Sequence, residues 1–297
     1  LDFMVTGMRC PTALRLDHLG LIRPGYEDYA RFRAAMTAGN RLWIAQPDGG
    51  FQLSPQNASA ANSGWSWGCT SFDADNDGWL DLFIANGHES RQSVRDYEPE
   101  FWLHDIYVGN SQEDLLKTAY FGAKIGRTRG RGWSYGGYDL NRLYLNRTGT
   151  AFIEAGHLLG VALQRDSRAA VADDLDGDGR TDLLVTTFEV WPEVKQTLRV
   201  YRNQLETDGN WIGFRLRNRP GAAGPTGVSV HVRTSQHESV RHVVTGDSHR
   251  AQHAATVHFG LGTAETVQSV VIRWPNRPRQ ALTSPAINRY HWIEPSP

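Results

Sequence analysis

The sequence predicts an all-β protein in two parts: repeated small sheets joined through acidic loops, then a separate β domain. Three observations predict it. An acidic loop that runs straight into an apolar strand occurs twice in one constant register. Trp and Tyr number 10 each, and such aromatic enrichment suits strands. From Asn210 onward short alternating strands continue without acidic loops.

The clearest copy of the loop is Asp174-Leu175-Asp176-Gly177-Asp178-Gly179-Arg180-Thr181-Asp182, followed by Leu183-Leu184-Val185. Carboxylates stand at its first, third, fifth and ninth positions. That spacing curls the chain so that several oxygens converge, and a hard cation with flexible oxygen coordination relieves their repulsion. Calcium suits such a loop better than magnesium, which keeps its waters. The same unit runs from Asp73 through Asp75 and Asp77 to Asp81, then Leu82-Phe83-Ile84, 101 residues earlier. Asn40-Arg41-Leu42 against Asn141-Arg142-Leu143, and Phe51 against Phe152, keep the same offset, which marks an internal repeat. The expected ligands are Asp73, Asp75, Asp77, Asp81, Asp174, Asp176, Asp178 and Asp182, with Trp79 and Arg180 offering backbone carbonyls from the seventh positions. An EF-hand is excluded, because its twelfth-position Glu is replaced here by Ile84 and Val185.

In chain order, residues 1–8 read as a strand. Leu1-Asp2-Phe3 aligns with Leu80-Asp81-Leu82, so Asp2 takes the ninth position of a third loop whose first eight positions are missing, as expected of the C-terminal part of a longer protein. Residues 9–38 interrupt the repeat, and Tyr29, Phe32 and Met36 recur at helical spacing, predicting an amphipathic helix over 26–37 packed on a sheet. Asn40–Ala45 and Phe51–Leu53 form a hairpin around Asp48-Gly49-Gly50. Gly64–Phe72 and Leu80–Ala85 flank the first loop. A second insertion, 87–139, holds a helix from an N-cap at Ser111 to about Gly122, with Asp114 near the capping-box position and Leu115, Leu116, Ala119 and Tyr120 facing inward. Asn141–Asn146, Ala151–Glu154, Leu183–Thr187 and Leu198–Arg202 complete the repeats. The tail places strands at Trp211–Leu216, Gly227–Thr234, Ser239–Thr245, Thr256–Gly260 and Ser269–Trp274, packed as a small sandwich or barrel.

A net charge of −1 gives no long-range pull toward nucleic acid, so the basic and aromatic run Arg127–Tyr135 reads as a solvated loop before a site for an anionic partner. No apolar run reaches the ~20 residues of a membrane span. Cys10 and Cys69 could pair in an exported protein, and equally fit as buried small residues.

The loops and the Asn-Arg-Leu-Tyr strands resemble FG-GAP/VCBS repeats, the calcium-binding blades of integrin-like β-propellers. The tail resembles the ASPIC/UnbV domain through Asn210-Trp211-Ile212, Gly246-Asp247-Ser248-His249-Arg250-Ala251-Gln252, His258-Phe259-Gly260-Leu261-Gly262 and Trp274-Pro275. Together the pair resembles the cartilage acidic protein group and its bacterial relatives. The resemblance implies propeller blades over 1–209, with insertions at about 9–38 and 87–139, and an ASPIC/UnbV domain over 210–297. It implies a calcium-stabilised protein, extracellular or at the cell surface (or periplasmic), that binds a protein or glycan rather than performing catalysis. Two complete loops are fewer than a closed ring of ~4–8 blades needs. Gly221–Gly227 also stands where the family more often has Asn-Arg-x-Gly-x-Gly.

Two other function classes stay open. An enzyme or enzyme subunit would place His88, Glu89, His104 and Asp105 of the second insertion in one cleft for acid–base or metal chemistry. An architectural subunit of a larger assembly would expose an apolar patch of Phe101, Trp102 and Trp133. His231 and His242 read as strand surface positions, and His249 and His258 as structural hydrogen-bonders. No HExxH, nucleophile elbow, phosphate loop or dinucleotide fingerprint occurs.

Overall fold

A computed structural model describes residues 2–22, 25–102, 115–129, 131–217, 224–244 and 246–296. Strands dominate, as expected, and the repeats form three small antiparallel sheets. The first joins β1 (Phe3–Val5), β2 (Arg41–Ala45) and β3 (Phe51–Leu53). The second begins with β4 (Ser66–Phe72) and β5 (Asp81–Asn86). Its inserted segment carries the short parallel pair β6 (Ser93–Asp96) and β7 (Trp133–Ser134), and the sheet then resumes with β8 (Arg142–Arg147) and β9 (Ala151–Glu154). The third holds β10 (Ser167–Asp173), β11 (Asp182–Glu189) and β12 (Lys195–Tyr201).

The repeat inferred from residue offsets is a repeat of register. Phe3 pairs with Trp43, Leu82 with Tyr144 and Leu183 with Tyr201. In each sheet the ninth-position Asp also fixes the neighbouring strand. Its Oδ1 accepts the amide of Ala45 (Asp2, 2.9 Å), Asn146 (Asp81, 2.7 Å) or Asn203 (Asp182, 2.8 Å).

The sheets stack because β5 is apolar on both faces and every one of its residues is buried. Leu82 and Ile84 pack with Met4, Tyr144 and Phe152 toward the first sheet. Phe83 and Ala85 pack with Leu183 and Val185 toward the third. Alternation along an extended strand sends successive side chains to opposite faces, so one strand supplies both seams. Among the described residues the three sheets do not close a ring.

The insertions differ from expectation in what they bury. Helix α1 (Pro11–His18) was not foreseen, and α2 (Glu27–Met36) forms where the spacing predicts it. Yet Tyr29, Phe32 and Met36 are exposed, and the buried side chain of α2 is Arg33, 2% accessible. Its Nε donates to Asp17 Oδ1 at 2.7 Å and Nη2 to the Leu21 carbonyl at 2.9 Å. A charged anchor on α1 therefore holds the helix, and the apolar stripe stays in solvent. Replacing Arg33 with Ala leaves both acceptors unmet. Hydrogen bonds to charged groups contribute about 1.5–3 kcal/mol, so the expected result is faster amide exchange confined to α1 and α2. Equally fast exchange in β5 would contradict a local role.

A short helix α3 (Asn57–Ala61) lies against β2, and α4 (Glu98–Phe101) follows β6. In α5 (Leu115–Arg129) the residues expected to face inward are corrected: Leu115, Leu116, Ala119 and Tyr120 are exposed. Helical spacing identifies a stripe but not whether anything covers it. The N-cap at Ser111 and Asp114 lies outside the described residues. Both cysteines are free thiols; buried Cys10 caps α1, its Sγ accepting the Ala13 amide at 3.2 Å.

The C-terminal part is a two-sheet sandwich. One sheet holds β13 (Asn210–Leu216), the other β14 (Ser229–Arg233) and β15 (Glu238–His242). β16 (Thr256–Gly262) pairs with β13, and β17 (Ser269–Arg273) with β14. Two strands were not anticipated: β18 (Gln280–Thr283), beside β17, and β19 (Tyr290–Ile293), parallel to β13. Ile212, Phe214, Phe259 and Leu261 from one sheet meet Val230, Val232, Val270 and Ile272 from the other, all nearly inaccessible.

Candidate metal centre

The first acidic loop connects β4 to β5. Its sixth residue, Gly78, and fourth, Asn76, adopt positive φ (96° and 59°), and the chain can thereby turn back on itself. Carboxylate oxygens of Asp73, Asp75 and Asp81 come within 4.8 Å of one another. Asp73 and Asp81 are 2% and 1% accessible. Asp73 Oδ2 accepts the Gly78 amide at 2.9 Å, and Asp81 Oδ2 accepts that of Ala74 at 2.8 Å. Asp75 Oδ1 is shielded from solvent and has no hydrogen-bond partner. A buried, unmatched carboxylate oxygen beside two more is costly unless a cation completes it, and an oxygen-only donor set fits a hard divalent ion.

Burial drives the electrostatics. It pushes the Asp73 carboxyl up to about 7, an effect the Arg241 charge opposes and the charges of Asp77 and Asp75 reinforce. It lifts Asp81 to about 8, against the amides of Asn146 and Ala74. Asp77 lies outside the convergent three; its Oδ1 accepts the Trp79 amide at 2.8 Å.

The second loop, between β10 and β11, brings Asp174, Asp176 and Asp182 within the same 4.8 Å. Arginines flank it. Arg202 pairs with Asp176 at 2.7 Å and with Asp178 at 3.2 Å, and Arg180 also pairs with Asp178. Slight burial would raise the Asp178 carboxyl, but the Arg180 amide and the two guanidinium groups hold it below its ordinary value.

Both loops face the C-terminal sandwich. Asp73 Oδ2 accepts the Gly260 amide at 3.1 Å, and the Asn76 carbonyl accepts that of Gly262 at 2.9 Å. Asn76 Nδ2 donates to the Gly179 carbonyl of the second loop at 2.9 Å, so its Oδ1 is the acceptor facing His258 Nε2 at 2.8 Å. His258 is half-buried at this seam. Burial and then the Arg241 charge push it down to about 3, so it is a neutral hydrogen-bonder, as the sequence suggests. A cavity of about 190 Å³ lies at this seam, bounded by Asp73, Thr181, Arg241 and His253. His253 bridges the two parts, with Nε2 2.8 Å from Thr70 Oγ1 and Nδ1 2.7 Å from Asp247 Oδ1.

The described residues of the alternative readings sit elsewhere. His88 stacks on Trp65 at 4.6 Å and 13° and meets Tyr135 edge-on at 5.4 Å, while Glu89 pairs with Arg91. His104 and Asp105 lie outside the described residues. Trp102 is buried with Cys10, Ala13 and Leu16, and Trp133 lies under Arg95 and near Arg131. These rings do not form the broad exposed patch that an architectural subunit would show. Asn76 and Arg241 were not singled out from sequence. The one signal for the seam was the Gly260–Gly262 spacing beside His258.

Among the described residues no helix is long and apolar enough to cross a membrane. None of the curated proteins compared with the chain matches it. Residues 25–84, which include the first acidic loop, match the FG-GAP-like repeat, and residues 217–297 match the ASPIC and UnbV family. The chain thus joins an FG-GAP-like repeat region to an ASPIC and UnbV domain, the architecture that its acidic loops and His-Phe-Gly-Leu-Gly run suggest.

Proposed function

We propose that the chain is a calcium-stabilised scaffold of propeller-like blades, extracellular or at the cell surface, that binds a protein or glycan partner without catalysis. The observation that carries the calcium reading is the first loop. Three carboxylates converge there, two of them almost inaccessible, and Asp75 Oδ1 is left unmatched. The ion's role is structural: it offsets repulsion among Asp73, Asp75 and Asp81 and fixes the start of β5. Asp174, Asp176 and Asp182 act likewise at β11. Asp77 and Asp178, with the carbonyls of Trp79 and Arg180, complete the proposed ligand sets. FG-GAP repeats mediate protein interactions and are typical of extracellular or surface proteins, which supports the partner class and the location. Inserted loops carried on a rigid frame are the natural contact elements.

Thermal unfolding with calcium and with chelator tests this. A ligand at 100 times its Kd stabilises the folded state by about 2.7 kcal/mol, and for chains of this class 1 kcal/mol moves Tm by roughly 2–4 °C. Chelation is therefore expected to lower Tm by about 5–10 °C. An unchanged Tm would overturn the metal reading.

A further inference from the structure

We propose that calcium at the first acidic loop latches the C-terminal domain onto the blades, so that ion binding and domain docking are one coupled equilibrium. This rests on the calcium reading above and goes beyond it. The loop's ligands and its docking groups are interleaved within four residues. Asp73, a convergent carboxylate, also accepts the Gly260 amide, and Asn76, between Asp75 and Asp77, holds Gly262 through its carbonyl and His258 through Oδ1.

The fit across the seam allows little slack. A Cβ on Gly260 would lie 2.2 Å from Asp73 Oδ2 and 2.5 Å from the Asn76 carbonyl carbon. One on Gly209 would lie 2.7 Å from the Asn76 oxygen. Without an ion, Asp73, Asp75 and Asp81 repel once ionised and the loop relaxes by spreading. Spreading moves Asp73 and Asn76 away from the amides they hold. With the ion in place those acceptors are fixed, and the domain docks on a preformed surface. Linkage makes the effect reciprocal: the docked domain strengthens calcium binding by the factor that calcium strengthens docking.

Hydrogen exchange on the full chain tests the latch, with calcium alone as the probe. The Gly260 and Gly262 amides are on the C-terminal domain, yet their acceptors are on the loop. Saturating calcium is expected to slow their exchange about tenfold. Asp75→Asn is nearly isosteric, and the bonds to the C-terminal domain run from Asp73 and Asn76, so this variant should fold, lose an ion and show no calcium-dependent protection of those amides. In the reverse direction, Asn76→Gly keeps the positive φ and removes the side-chain bonds to His258 and to the Gly179 carbonyl. It is expected to weaken calcium affinity about tenfold by calorimetry. Calcium binding with unchanged Gly260 and Gly262 exchange would overturn the latch and leave the scaffold reading standing. So would equal protection in Asp75→Asn. Absence of any calcium binding by the wild-type chain would overturn both.

Discussion

Asp81→Ala is expected to lower the unfolding free energy by about 2–5 kcal/mol in calcium, because each buried donor left without an acceptor costs about 1–3 kcal/mol. Two such donors arise, the amides of Ala74 and Asn146, which now meet Asp81 at 2.8 and 2.7 Å. Asp182→Ala is expected to behave alike, since Asp182 accepts the amides of Leu175 and Asn203 at 3.1 and 2.8 Å. Asp2→Ala removes one exposed bond, to Ala45, and belongs with surface substitutions that stay within about 0.5 kcal/mol. Urea unfolding of the three variants reads the series directly. Asp81→Ala no more damaging than Asp2→Ala would contradict the clamp. In chelator its effect should shrink, because removing one of three crowded carboxylates also relieves repulsion.

The second large effect is on pH. Asp73 and Asp81, raised by burial to about 7 and about 8 from an ordinary 3.8, bind protons more tightly folded than unfolded. Between roughly pH 4 and pH 8 the ion-free folded state keeps protons that the unfolded chain has lost, so its stability falls as pH rises. Calcium needs the ionised carboxylates, and its contribution therefore grows across the same window. The Tm gained on adding calcium is expected to be small at pH 5 and large at pH 8. Glu98, lifted by burial to about 7, has the same sign but no part in the loop, so the difference between calcium and chelator isolates the loops from it. A calcium-induced Tm shift independent of pH would refute the assignment of those carboxyls as ligands.

The acidic loops and the sheet register were legible in sequence because both are local. Four carboxylates over nine residues allow few other conformations, and period-two alternation places Leu82 and Phe83 on opposite faces whatever lies beyond. The sandwich was legible through its strands, apart from β18 and β19, which follow turn-rich stretches. What α2 and α5 bury was not legible. Spacing located the stripes of Tyr29, Phe32 and Met36 and of Leu115 and Leu116, but a cover for a stripe comes from distant chain. Arg33 shows the converse, a charge drawn inside because Asp17 and the Leu21 carbonyl await it. The seam was the least visible feature. It joins Asp73 and Asn76 to Gly260 and His258, more than 180 residues away, through bonds that leave no periodic trace.

Glycines where the two halves meet give the joint a mechanical character. Side chains can shuffle rotamers and let one surface glide over another by degrees, whereas main chain pressed on main chain has no such give. Gly260, at which an added carbon would lie 2.5 Å from the main-chain carbonyl carbon of Asn76, shows how little clearance remains. Such a contact behaves like a key in its slot, seated or withdrawn, so the C-terminal half should change position in one step rather than sway.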